Sequence, residues 1–129
     1  MPAYYIVLQE VIPGVDAVGL EGRALSKHSL DLDFLAKQAG VIPILTFFSA
    51  TPAELAGLME DQVQKGVPRP EEHWFSAADG LKTISSLLNS LEDTPHPESL
   101  RLTKELTEFQ HVLQAARSRN VCWHLGIDI

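Results

Sequence analysis

The chain has 129 residues, a formal net charge of −7 and one cysteine. This length predicts a single domain over residues 1–129, large enough to fold without a disulfide or a bound metal. The acidic balance disfavours nucleic-acid binding and anionic membranes, because both depend on Lys and Arg meeting phosphate groups. The single Cys122 cannot form an internal disulfide, and no stretch reaches the roughly 18 apolar residues of a membrane span. Together with the lack of a targeting pattern at the N-terminus, this favours the cytoplasm.

The first half of the chain predicts short elements. Residues 4–8 are aromatic and β-branched, which is typical of a buried strand. Residues 14–27 have no clean period and predict irregular structure, with a short strand near residues 15–20 as the alternative. A helix is predicted over residues 29–39, with Ser29 as its cap and Gly40 ending it in the left-handed conformation. A second strand is predicted after Pro43, because proline is tolerated at the start of a strand.

The middle of the chain carries a strong helix start signal. Thr51 caps, Pro52 takes the first helical position and Glu54 completes a capping box. Residues 66–70 contain two prolines and a glycine, and they predict an exposed or extended linker. Neither side of this linker is long enough for an independent core.

The second half predicts two long helices and a strand. Ser76 with Asp79 forms a capping-box variant before a leucine stripe over residues 77–91. A second apolar stripe runs over residues 98–117, and the short connection favours an antiparallel hairpin with the stripes facing each other. Residues 121–127 predict a strand, because their apolar side chains alternate onto one face. Gly80 interrupts a helix at a cost, which predicts a close contact at that point.

The predicted fold class is α+β. A small three-stranded sheet, or a four-stranded one as the alternative, packs against the C-terminal antiparallel helix hairpin, and two shorter helices complete the domain. Both chain ends contribute strands, which brings the termini into the core, and the sequence does not fix the order of the strands.

The densest polar and aromatic cluster is the candidate ligand or partner surface. Its residues are Glu71, Glu72, His73, Trp74 and Asp79. The carboxylates could hold a cation or a basic side chain, and Trp74 could stack on it. The alternative, which we favour, is a solvated loop in which the aromatic residues fill the core and Asp79 serves the helix N-terminus.

Cys122 and His124 share one face of the last strand. They could ligate a metal or act as nucleophile and base, but zinc sites need more ligands and a different spacing. We favour a buried cysteine beside a hydrogen-bonded histidine. The other histidines are expected in loop or cap positions, for His28 and His96, or on the exposed side of the last helix, for His111. The sequence therefore predicts no catalytic residue, no metal site and no cofactor.

Four segments resemble a group of small bacterial proteins with no known activity: residues 42–49, 51–55, 74–83 and 121–125. In that group a W-F-x-x-x-x-G-L-x-T element precedes a leucine-rich helix. The resemblance covers most of the chain from about Leu30 onward. It implies a bacterial, cytosolic, single-domain protein, and it brings no functional residues with it.

The functional prediction is a non-catalytic protein that binds another macromolecule. A protein partner with a basic surface fits the acidic balance, as it does for immunity proteins. The uncharged outer face of the leucine-rich helix is a candidate homodimer surface, although a mildly polar solvated surface is the favoured interpretation. The alternative class is a small-molecule or metal-binding enzyme that uses Glu72, His73 and Asp79.

Overall fold

A computed structural model describes residues 2–15, 17, 20–49 and 73–128. Over these ranges the protein is an α+β structure. Its elements in chain order are β1 (Ala3–Leu8), α1 (Arg23–Lys27), α2 (Ser29–Ala39), a 3-10 helix (Ile44–Phe47), α3 (Ala77–Asp93), α4 (Ser99–Ser118) and β2 (Trp123–Asp128). The helix predicted to begin at Thr51, the linker at 66–70 and the candidate residues Glu71 and Glu72 lie outside the described residues.

The two chain ends form the sheet. Strand β1 pairs antiparallel with β2, with Tyr4 opposite Ile127 and Leu8 opposite Trp123. Alternate residues of both strands, including Trp123 and Leu125, are buried in the core. On the far side of β2, Phe48 and Phe75 each add a single bridge. The prediction that both termini contribute strands to the core is therefore confirmed.

The predicted strand after Pro43 is wrong. Ile44 and Phe47 are both buried while Leu45 and Thr46 face outward, and this three-residue spacing is that of a 3-10 turn. The amide of Thr46 donates to the Pro43 carbonyl at 3.1 Å, which closes the turn. The sheet has two strands within the described residues, so three or four strands are not confirmed.

Two expectations before α2 are also corrected. Arg23–Lys27 is a helix rather than irregular structure, and residues 15, 17 and 20 carry no strand. His28, not Ser29, occupies the cap position of α2, and no side chain caps that end. Ser29 already belongs to the first turn because α1 runs almost directly into α2. Gly40 has the predicted left-handed conformation, with φ of 73°.

Helices α3 and α4 pack side by side, and only residues 94–98 connect them. This short connection makes them antiparallel, as predicted. Both apolar stripes are buried: Leu81, Ile84, Leu87 and Leu91 in α3, and Leu102, Leu106, Phe109 and Leu113 in α4. The Ser76 hydroxyl accepts a hydrogen bond from the Asp79 amide at 3.1 Å, which confirms the predicted cap. Among the described residues, no helix is both long enough and apolar enough to span a membrane.

Candidate functional site

The described members of the predicted polar cluster each have a local contact. His73 is exposed, and its amide donates to the Ser49 hydroxyl at 2.9 Å. Asp79 is exposed in the first turn of α3. Trp74 is half-buried and lies over the ring of His124, with the centroids 4.8 Å apart. As a ligand surface, this set remains a prediction.

The other predicted pair, Cys122 and His124, lies at the start of β2. His124 is 1% exposed and its Nδ1 lies 3.0 Å from the Leu125 carbonyl. A carbonyl oxygen only accepts, so Nδ1 carries the proton there. Cys122 is half-buried and free. Burial under Trp74 and a backbone partner agree with the structural interpretation of His124.

A groove of about 680 Å³ runs along the outer edge of β1. We call it the β1 groove. Its walls are mainly apolar. They come from β1, from Ile127 and from described residues between β1 and α1, which are Val11, Ile12, Val15, Ala17 and Leu20. Ile12 is 3% exposed at its base, whereas Val11 is 93% exposed at its margin. An apolar groove with one fully exposed valine beside it is a surface suited to another apolar chain.

Within the described residues, only part of the β1 edge in this groove is paired. Tyr4 exchanges two backbone hydrogen bonds with Gly22, of 3.1 and 2.7 Å, on the side away from β2. Backbone groups in a strand alternate in direction, so the N–H and C=O groups of Ile6 and Leu8 face the same side as those of Tyr4. The described part of the chain provides no hydrogen-bond partner for these four groups. An edge of this kind can pair with an additional strand.

The charge of the β1 groove is acidic. Glu10, Glu21 and Asp128 line it, and no Lys, Arg or His is among its described lining residues. Glu21 also contacts Arg23 at 3.0 Å, in an exposed ion pair. Exposed pairs of this kind are weak, so Glu21 remains available to a second cation. The groove therefore combines three features: apolar walls, backbone hydrogen-bonding groups at the edge of a strand, and negative charge.

A second polar cluster, which the sequence did not indicate, brings His28, Asp31 and His96 together. His96 Nε2 lies 2.9 Å from Asp31 Oδ2, and His28 Nδ1 lies 3.8 Å from the same oxygen. The two imidazole rings meet edge to face with centroids 4.7 Å apart. His28 and Asp31 are three residues apart at the start of α2, but His96 is 65 residues from Asp31. That distance in sequence explains why no local pattern revealed the cluster.

Two ionisable groups near β1 have shifted pKa values. Burial raises the pKa of Asp33, and the nearby Lys37 charge opposes this shift. Burial also raises the pKa of Tyr4; a hydrogen bond with Ser29 lowers it, and the charge of Asp33 raises it further. The Oδ1 atom of Asp33 is buried and has no hydrogen-bond partner among the described residues. The carboxylate therefore ionises at a cost to the fold.

Comparisons of the chain with protein-family models, curated proteins and solved structures gave no match. The resemblance to small bacterial proteins therefore stays a prediction. The functional argument rests on the geometry of the β1 groove and of the His28, Asp31 and His96 cluster.

Proposed function

We propose that the protein binds another protein, and that the β1 groove receives an extended segment of that partner. The single observation that supports this most directly is the edge of β1 at Ile6 and Leu8, which has no backbone partner among the described residues. A partner segment would hydrogen-bond to these residues and become a third strand, while its alternate side chains contact the apolar walls. This is a binding function without catalysis.

The proposed partner segment is basic. Three carboxylates line the groove and the whole chain has a net charge of −7. Complementary charge speeds encounter and selects among partners more than it adds to affinity. Lys or Arg at the positions of the segment that face Glu10 and Asp128 would therefore decide which apolar strands are accepted.

The test compares two double charge reversals in recovery of a partner from lysate of the native host. Glu10→Lys with Asp128→Lys changes the groove, while Glu92→Lys with Asp93→Lys makes the same change in net charge at the exposed end of α3. We expect wild-type and the α3 variant to recover one partner, and the groove variant to lose it. Equal loss in both variants would show a dependence on net charge alone and would contradict the proposal.

A second measurement locates the contact. The recovered partner, or a peptide of alternating Lys and Val, is added to the isotopically labelled protein, and backbone amide signals are followed by NMR. We expect the amides of Ile6 and Leu8 to move first and to become protected from hydrogen exchange. Shifts confined to other elements would contradict a partner at this groove. A concentration-dependent dimer, detected by light scattering and accompanied by shifts at Ile6 and Leu8 without any partner, would show that a second copy of the chain occupies the edge instead.

A further inference from the structure

The donor atoms of His28, Asp31 and His96 lie within 4.8 Å of one another. Two imidazoles and a carboxylate are the donor set of zinc sites that keep one coordination position open. In a tetrahedral zinc site with Zn–N distances near 2.0 Å, neighbouring donor atoms are about 3.3 Å apart. The cluster thus needs only side-chain adjustment to reach coordination distances.

The His28 ring supplies a second observation. Its Nε2 is buried and has no hydrogen-bond partner in the described part of the chain. Its Nδ1, at 3.8 Å from Asp31 Oδ2, is too far for a hydrogen bond. A cation between His28 and Asp31 would bind at Nδ1, the ring nitrogen nearer the carboxylate, which has no hydrogen bond of its own among the described residues.

Solvent access also fits a metal ion. The side chains of His28 and His96 are only 19% and 18% exposed, whereas that of Asp31 is 59% exposed. The contact between the two rings keeps the imidazoles together, with centroids 4.7 Å apart. A cation would reach the cluster from the solvent side of Asp31, and His96 would give up its hydrogen bond with the Glu98 amide on binding.

We propose that His28, Asp31 and His96 bind one zinc ion, with the fourth position open to water or to an outside ligand. The ion would connect the start of α2 to the loop between α3 and α4. Softer nitrogen donors favour zinc and related transition metals over magnesium or calcium. This proposal is independent of the β1 groove.

The hydrogen bonds of His96 give the proposal a specific signature. Its Nδ1 accepts the Glu98 amide at 3.0 Å, so the proton of the neutral ring is on Nε2 and is donated to Asp31. Zinc bound at Nε2 requires that proton to be on Nδ1, where it opposes the Glu98 amide. Zinc binding and the Glu98 hydrogen bond therefore exclude each other, and the proton changes nitrogen without net release from this ring.

The test titrates zinc chloride into the chelator-treated full chain. We expect one ion per chain, and a loss of affinity of at least about 100-fold in His28→Gln and in His96→Gln, which is more than removing an outer-shell partner causes. The control His111→Gln removes an exposed histidine of α4 and should bind as wild-type does. Circular dichroism checks that each variant folds. Unchanged binding in both cluster variants would overturn the proposal and place the ion elsewhere.

NMR of the wild-type protein tests the same site without a substitution. The Glu98 amide signal should move strongly with the first equivalent of zinc, and magnesium at the same concentration should leave it unchanged. Cobalt provides an additional probe, because its visible absorption intensifies in tetrahedral sites with the same donors. A Glu98 signal that does not respond to a stoichiometric zinc ion would contradict coordination through His96 Nε2.

Discussion

Gly80 of α3 lies directly against the indole of Trp123 in β2. A Cβ atom at residue 80 would be 2.5 Å from Cζ2 and 2.8 Å from Nε1 of that ring. The same Nε1 donates a hydrogen bond to the Ser76 carbonyl at 3.1 Å. One side chain of the sheet thus contacts the first turn of the helix hairpin at two points. The close contact predicted from Gly80 is confirmed.

Gly80→Ala should destabilise the protein. Alanine gains about 1 kcal/mol of helix propensity over glycine, but the added methyl must displace a fully buried ring, and overpacking of this kind costs about 1–3 kcal/mol or more. We expect the cost of the clash to exceed the gain in helix propensity, and we expect Gly80→Leu to lower the free energy of unfolding further. Urea unfolding measures the free energy, and Ala78→Leu, at an exposed position of the same turn, should have little effect.

A second substitution shows whether the stability lost in Gly80→Ala comes from the contact with Trp123 or from the change in the helix itself. In the background of Trp123→Phe, the smaller ring leaves room near residue 80. The cost of Gly80→Ala should then fall or reverse, which gives a coupling energy in a double-mutant cycle. Strict additivity of the two substitutions would show that the indole is not what excludes the side chain.

Ser76→Ala should lower the free energy of unfolding by about 1 kcal/mol, the usual value for loss of a helix N-cap. The hydroxyl of Ser76 accepts the Asp79 amide at 3.1 Å, and alanine leaves that amide without this partner. Chemical denaturation provides the measurement. Ser86→Ala, within the same helix, is the control and should be neutral or slightly stabilising because alanine is the better helix former.

Glu105 caps a helix to which it does not belong. Its two carboxylate oxygens accept the amides of Ala24 and Leu25 at 3.2 and 3.0 Å, so α4 satisfies the N-terminal amides of the short α1. Hydrogen bonds to charged groups contribute about 1.5–3 kcal/mol. Glu105→Ala should lower stability by that order and should expose the Ala24 and Leu25 amides to hydrogen exchange.

Glu108→Ala is the matched control for Glu105, since it removes a half-buried acid one turn further along α4. We expect it to leave the exchange of the α1 amides unchanged. If Glu105→Ala also left these amides protected, the cap across 80 residues of sequence would not contribute to α1.

Asp33 predicts a pH dependence with a defined sign. Burial raises its folded-state pKa above the ordinary value of 3.8, so the folded state holds the proton more tightly than the unfolded state. The contribution of Asp33 to the free energy of unfolding is complete below the pKa of the unfolded state. It is lost as the pH rises through the pKa of the folded state. Asp33→Asn should therefore become more stable relative to wild-type as the pH increases over this window.

Two readouts check the Asp33 assignment. Unfolding free energies across the acid range should show the difference growing with pH, while Asp93→Asn at the exposed end of α3 should show no such trend. The phenol of Tyr4 gives an independent signal, because the charge of Asp33 raises its pKa. Asp33→Asn should lower that pKa in an ultraviolet titration. An unchanged Tyr4 titration would contradict the interaction.

Local patterns in the sequence determined the regular elements that depend on neighbouring residues. The leucine stripes of α3 and α4 follow from side chains three and four positions apart. Ser76 and Gly40 act on backbone groups within their own turns, so capping rules identified both. The alternation of apolar residues in β2 placed Trp123 and Leu125 on one face of the strand and His124 on the other. Gly80 was recognisable because glycine inside a helix is costly without a contact to explain it.

The tertiary structure decided what depends on residues far apart in the chain. The apolar residues of Ile44–Phe47 suit a strand, yet the segment forms a 3-10 turn that buries Ile44 and Phe47. Helix α1 has no local cap, and its amides are satisfied by Glu105 from α4. His28 and His96 meet because α2 and the α3–α4 connection pack together. Long-range contacts of this kind leave no periodic signal in the sequence, so both proposed sites depend on the folded structure.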